Sequence, residues 1–263
     1  MSHALVDAGS FRDPSGRIYD LNGEIYRTVL NKAVAEFNHV RDSGLAAKLM
    51  SKGKLVATEE VKNSTLKKAG ILAPMVLRHA RIPFVSYPYE WSFPLLKAAA
   101  LLHLDVQIEA LRAGVSLSDS TAYNVQFDGP NPVFIDVLSF RQYRDGEIWA
   151  GHRQFCEQFL NPLLLRAYFG IPHNAWFRGN LEGIETAMLA RMMPWWRNFS
   201  FNVLSHVTMQ ANFQAGAMAN NAKGIAKAKT VKLPKLGFER MLLSLRGWIK
   251  GLQPKDTGAT VWQ

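Results

Sequence analysis

Asp119 and Asn124 stand with four residues between them in the polar stretch Val115-Ser-Leu-Ser-Asp119-Ser-Thr-Ala-Tyr-Asn124. Tyr123 to Phe127 reads as a short strand, Asp128-Gly129-Pro130 as a turn, and Pro132 to Val137 as a second strand ending near Asp136. A loop Asp, an Asn at the mouth of a strand and an Asp just across a hairpin can converge on one point. Those residue types suit phosphoryl transfer. Asp119 would be the catalytic residue that orients a hydroxyl, and Asn124 and Asp136 would hold Mg2+ against the phosphates. Asp and Asn are also common loop formers, so the spacing alone is a weak signal. The surrounding elements have to strengthen it.

Upstream, Arg17-Ile-Tyr-Asp and Glu24-Ile-Tyr-Arg-Thr-Val29 flank Asn22-Gly23, a strong hairpin signal, and the first strand extends back towards Phe11. Ala33, Val34, Phe37, Val40 and Leu45 keep helical spacing, with Asn31 as the cap and Gly44 as a break or bend. Lys54-Leu-Val-Ala reads as another strand, and Met75–His79 with Ile82–Tyr87 as a strand pair. Arg27 lies on a strand and Glu36 on the following helix. Paired, they would be the cation and carboxylate of a nucleotide site. Such residues are more often solvated surface groups, and that reading stands ahead here. Tyr87-Pro-Tyr-Glu-Trp91 reads equally as a hinge that could meet an adenine ring and as an ordinary connection.

Ser92 caps a long helix from Phe93 to about Ala113, closed by Gly114. A further helix runs from His152 to about Phe169 with Pro162 kinking or restarting it, and Phe155, Phe159, Leu163, Leu164 and Tyr168 as core candidates. Pro172 to Gly179 reads as a loop, Ile184–Met193 as a short helix, and Asn202–Met218 as helical by spacing. Cys156 reads as a small buried apolar group, His103 as a packed or capped histidine with no metal set nearby in sequence, and His206 as structural.

With 263 residues, 48% hydrophobic and 20% charged, the chain can bury a core. One cysteine excludes an internal disulfide framework. The start lacks the apolar core of a signal peptide, and the run Ala98–Leu102 is too short to span a bilayer. These features predict a cytoplasmic protein. The net charge of +10 concentrates near the end, where Lys223, Lys227, Lys229, Lys232, Lys235, Arg240, Arg246, Lys250 and Lys255 face only Glu239 and Asp256. Residues 222–234 read as a flexible linker and Phe238–Leu252 as amphipathic. The segment suits a tether, a helix in weak contact with a membrane surface, or a nucleic-acid arm. The tether leads, and no specific nucleic-acid recognition is expected.

The order of small sheet with helix, connector, long helix, polar loop and hairpin resembles that of the protein kinase and aminoglycoside phosphotransferase fold. Asp119-x-x-x-x-Asn124 has the catalytic-loop spacing, Asp136 falls at the metal-binding Asp, and Arg27 with Glu36 at the cofactor-binding ion pair. Leu117 replaces the motif His, Val137-Leu138 replaces Phe-Gly, and the first hairpin lacks Gly-x-Gly-x-x-Gly.

A second resemblance covers Ser10 to Trp262. Ser10-Phe-Arg-Asp-Pro-Ser-Gly, Ser86-Tyr-Pro-Tyr-Glu-Trp-Ser, Ser120-Thr-Ala-Tyr-Asn-Val-Gln-Phe, Val133-Phe-Ile-Asp-Val-Leu-Ser-Phe and Arg153-Gln-Phe-Cys-Glu-Gln-Phe-Leu-Asn-Pro-Leu carry it. They resemble the N-terminal region of a bacterial family whose longer members bear a C-terminal class I S-adenosylmethionine (SAM)-dependent methyltransferase domain. Some members are called nodulation proteins. No acidic-Gly-x-Gly-x-Gly loop follows a strand here, so SAM is not expected to bind this chain alone.

The expectation is an α+β, two-lobed kinase-like fold: a sheet-plus-helix lobe over residues 1–90, a helical lobe over 91–221, and a basic linker and tail over 222–263. Two functions are weighed, and the first is preferred because the motif His and the Gly-rich loop are missing. One is an accessory module for a methyltransferase domain, in cis or in trans. The other is a phosphotransferase using ATP and Mg2+ on a small-molecule or sugar hydroxyl.

Overall fold

A computed structural model describes residues 5–6, 10, 13–62, 64–68, 70–212, 214 and 232–255. The chain is α+β and divides into two compact units. The first holds residues 1–85, 109–118 and 125–143, and the second holds 86–108, 119–124 and 144–263. The division therefore crosses the chain several times. Asp119 and Asn124 belong to the second unit, and Asp136 to the first.

The first unit is built on a five-stranded antiparallel sheet in the order β1-β2-β3-β5-β4: Leu5–Val6, Ile18–Leu21, Glu24–Val29, Met75–His79 and Thr58–Val61. Asn22 (φ 55°) and Gly23 (φ 85°) make the two-residue β2–β3 turn, in which both central residues need positive φ. Leu21, Tyr26, Leu66 and Val76 form an apolar cluster of this unit. Helix α1 (Asn31–Asp42) ends before Gly44 (φ 72°), and α2 (Leu45–Ser51) starts after it.

Several expectations need correction here. Leu30, in extended conformation, is the N-cap of α1, and Asn31 lies inside the helix. β2 starts at Ile18; residues 13–17 form a turn, and Phe11 lies outside the described residues. Ile82–Tyr87 forms no strand, because β5 is already paired on both sides by β3 and β4. Lys54–Ala57 makes only one bridge, Leu55 to Phe134; the strand is Thr58–Val61. The hairpin strands are shorter than expected, β7 (Val125–Asp128) and β8 (Asn131–Phe134), so Asp136 lies beyond β8. A pairing not foreseen joins β6 (Val115–Leu117) to β9 (Phe140–Gln142), and it buries Leu117.

In the second unit, residues 93–108 of the helix Phe93–Arg112 carry His103, whose ring lies 5.6 and 5.5 Å from those of Phe155 and Phe159. The helix from His152 to Phe169 is continuous but contains a π turn, Cys156–Leu160. Pro162 comes two positions after it, and its missing N–H fits a stretch where the helical ladder has slipped. His173–Gly179 is helical, contrary to the loop expected. His173 and Asn174 bond the carbonyls of Trp91 and Tyr89. Those carbonyls of the aromatic connector are thus already engaged. The expected 202–218 helix contains a second π turn, Leu204–Thr208, and its residues 213 and 215–218 lie outside the described ones.

The helix Lys235–Gly251 buries Phe238, Leu242, Leu245 and Ile249. Arg246 pairs with Asp105, and Lys97 Nζ donates to the Leu252 carbonyl at 2.7 Å. The apolar stripe is therefore packed inside the unit, which argues against a membrane-surface or free-tether role for these residues. Residues 222–231, read as the linker, lie outside the described residues. Among the described residues no helix is long and apolar enough to cross a membrane.

Candidate functional site

Arg27 is the centre of the first unit's charged cluster. Strand alternation places it on the same sheet face as Ile18, Ile25 and His79. It is only 6% exposed, contrary to the surface residue that β-strand statistics suggest. Its two terminal nitrogens separate two carboxylates: Nη1 donates to Asp136 Oδ1 and Nη2 to Asp13 Oδ2, both at 2.6 Å. Burial works against its charge, but Asp136 and Asp13 outweigh that and raise its pKa. Its Nε is buried with no hydrogen-bond partner.

Each carboxylate is held by the backbone as well. Leu138 N–H donates to Asp136 Oδ1 at 3.1 Å, and Ser15 N–H to Asp13 Oδ1 at 2.7 Å. The Asp13-Pro-Ser-Gly16 turn is stitched to the end of β3, since Leu30 N–H donates to the Ser15 carbonyl at 2.8 Å. Gly16 lies so close to the Thr28 carbonyl that a Cβ there would collide with it. Asp13 was the member that sequence reasoning missed, although its turn was visible.

A cavity of about 500 Å³ lies over this face of the sheet. Ile18, Ile25, Val56 and Ile135 give it apolar walls, and Arg27, His79 and Gln126 give it polar groups. Burial, with the Arg27 charge nearby, lowers the His79 pKa to about 4. A mostly apolar cavity with a few converging polar groups is the usual character of a small-molecule site.

The candidate Arg27–Glu36 pair, which stood behind the surface reading, does not form. Glu36 is exposed and accepts the Gln142 backbone N–H at 2.8 Å. Surface placement is thus right for Glu36 and wrong for Arg27. In the second unit, the Asn124 side-chain amide donates to Asp119 Oδ1 at 3.1 Å, so these two do meet. Their loop is held by the His152–Phe169 helix. Gln154 accepts Ser120 N–H at 2.8 Å, and Gln158 accepts from Thr121 Oγ1 at 2.9 Å and Ala122 N–H at 2.8 Å. The structure therefore brings together Asp119 with Asn124 and Arg27 with Asp136, each pair within its own unit.

The chain is thus an α+β protein in which one unit carries a buried Arg27 held by two half-buried carboxylates and the other carries an Asp–Asn contact. No family model matches it. It is 42% identical over 256 residues to Nodulation protein NoeA of Rhizobium meliloti (strain 1021), a match that takes in 97% of this chain and 53% of that protein. The chain spans about half the length of the curated relative it matches.

Proposed function

We propose that this chain is a kinase-like accessory or regulatory module of a SAM-dependent methyltransferase, joined to that domain in cis in longer relatives or meeting it in trans, and working in the cytoplasm. The observation that carries this reading is the engagement of Asp136. An internal guanidinium already neutralises the carboxylate on which a magnesium site would depend. A divalent cation would have to displace a buried, doubly paired Arg27. Leu117 in place of the motif His, and the absence of a Gly-rich loop, point the same way. The half-length match to the NoeA relative is compatible with a module that needs a further domain.

The second reading, an ATP- and Mg2+-dependent phosphotransferase acting on a small-molecule or sugar hydroxyl, draws support from the cavity and from the Asp119–Asn124 contact. The oxygen donors of Asn124 and Asp136 suit Mg2+. Asp119 would orient the hydroxyl, and Arg27 would serve the phosphates. Glu36, paired elsewhere, has no part in it.

Two measurements separate the readings. The accessory reading expects millimolar ATP and Mg2+ to leave the melting temperature of the purified chain unchanged. It also expects the chain to bind a separately expressed SAM-dependent methyltransferase domain and to alter its methyl-transfer rate. ATP consumption that disappears in Asp136→Ala would overturn it in favour of the phosphotransferase.

A further inference from the structure

Three metal-ligating side chains meet within the second unit, and neither reading above uses them. His152 Nε2 lies 2.9 Å from His206 Nδ1 and 3.6 Å from Cys156 Sγ. The three candidate ligand atoms all lie within 4.8 Å of one another. A cation bound to imidazole nitrogen at about 2.0 Å and thiolate sulfur at about 2.3 Å, near tetrahedral angles, holds its donors roughly 3 to 4 Å apart. The cluster has nearly that spacing already.

The backbone singles out the same residues. Cys156 opens the π turn Cys156–Leu160, and His206 sits within the π turn Leu204–Thr208. π turns are rare and occur frequently at functional sites. Two of them here carry two of the three ligands. His152 also bonds the Gln210 side chain. A side-chain hydrogen bond of this kind is the usual outer partner of a metal-bound imidazole. Trp149 and Trp248 wall the site, their rings 5.5 Å from His152 and 6.4 Å from His206. Cys156 and His206 are buried, and His152 is half-buried.

We propose that His152, Cys156 and His206 form a zinc site with three protein ligands, water or an external ligand completing the coordination. Two imidazoles and a thiolate are a donor set that Zn2+ favours over Mg2+ or Ca2+. Binding releases one proton, from the Cys156 thiol to solvent. The imidazoles enter neutral, through Nε2 of His152 and Nδ1 of His206. The Zn2+ and the single thiolate leave one net positive charge. Gln210 is a positioning residue.

The test uses the untagged full chain, kept reduced and titrated with Co2+ as a coloured substitute for zinc. One equivalent should give the visible bands of four-coordinate cobalt and a near-ultraviolet thiolate-to-cobalt charge-transfer band, both removed by Zn2+. Cys156→Ser, close in volume, should lose the charge-transfer band, and Gln210→Ala should weaken Co2+ binding by about tenfold. Folded wild-type chain without these bands at saturating Co2+, or the same charge-transfer band in Cys156→Ser, would overturn the site. Circular dichroism of each variant distinguishes lost binding from lost fold.

Discussion

Arg27 is a buried cation for which two carboxylates compete, so its loss costs more than its own contacts. Arg27→Met would leave Asp13 and Asp136 facing each other with their shared counter-charge gone. Breaking a buried pair on one side costs about 3 to 5 kcal/mol; here the carboxylates are about a quarter exposed, so we expect roughly 3 kcal/mol. Urea unfolding would read it, and a loss under about 1 kcal/mol would show that water takes over the role of the guanidinium. His103 makes a different kind of demand. Burial lowers its pKa from 6.5 to about 3. The folded chain keeps the ring neutral, whereas the unfolded chain takes up a proton as pH drops below 6.5. The stabilisation is therefore complete above pH 6.5 and is lost as pH falls towards 3. His103→Leu should flatten the stability profile across that window by up to about 5 kcal/mol. An unchanged acid limb would mean that other groups dominate it.

At the scale of elements, the His152–Phe169 helix acts as the support of the Asp119–Asn124 loop. Gln158 is 1% exposed and accepts two bonds from that loop. Gln158→Leu leaves the Ala122 N–H without its acceptor in a buried place, a cost of about 1 to 3 kcal/mol. Hydrogen exchange at Ala122 should accelerate in the variant while exchange along the Lys235–Gly251 helix stays as it was. Gly151 gives the same support by contact, because a Cβ there would come within 2.7 Å of Ser120 Cβ. In the Lys235–Gly251 helix, Leu242 is fully buried. Leu242→Ala should cost about 2 to 5 kcal/mol, the range for a core leucine. A solvated tether would lose almost nothing, so thermal melting of this one variant decides whether the basic segment belongs to the folded unit.

For the whole molecule the issue is whether this polypeptide can itself handle SAM. A class I methyltransferase binds its cofactor where a parallel strand turns into a helix. Every strand pair among the described residues is antiparallel, the one parallel link being the isolated Leu55–Phe134 bridge. Asn22-Gly23 and Asp128-Gly129-Pro130 turn from strand to strand, not from strand to helix. We expect no saturable SAM binding by the purified chain in equilibrium dialysis. Binding in the micromolar range would reveal a cofactor site of another kind.

Local signals were sufficient for much of the fold. Asn22-Gly23 set the first hairpin, Gly44 broke the first helix, and apolar spacing with Gly114 bounded the Phe93–Arg112 helix, because turn chemistry and helical period act within a few residues. The Asp119–Asn124 contact was legible for the same reason: the two are five positions apart. Pairing and burial were not, since they depend on residues far away in the chain. Arg27 takes its partners from 14 and 109 positions away, and those partners make a strand residue that looks solvated into a buried cation. His152 and Cys156 share a helix face four residues apart, a signal that could have been read, but His206 arrives from 54 positions away. The apolar stripe of the Lys235–Gly251 helix was visible as a pattern. Whether it met lipid, another chain or this chain's own core was decided only by folding, when Phe238 and Leu242 became buried in the second unit.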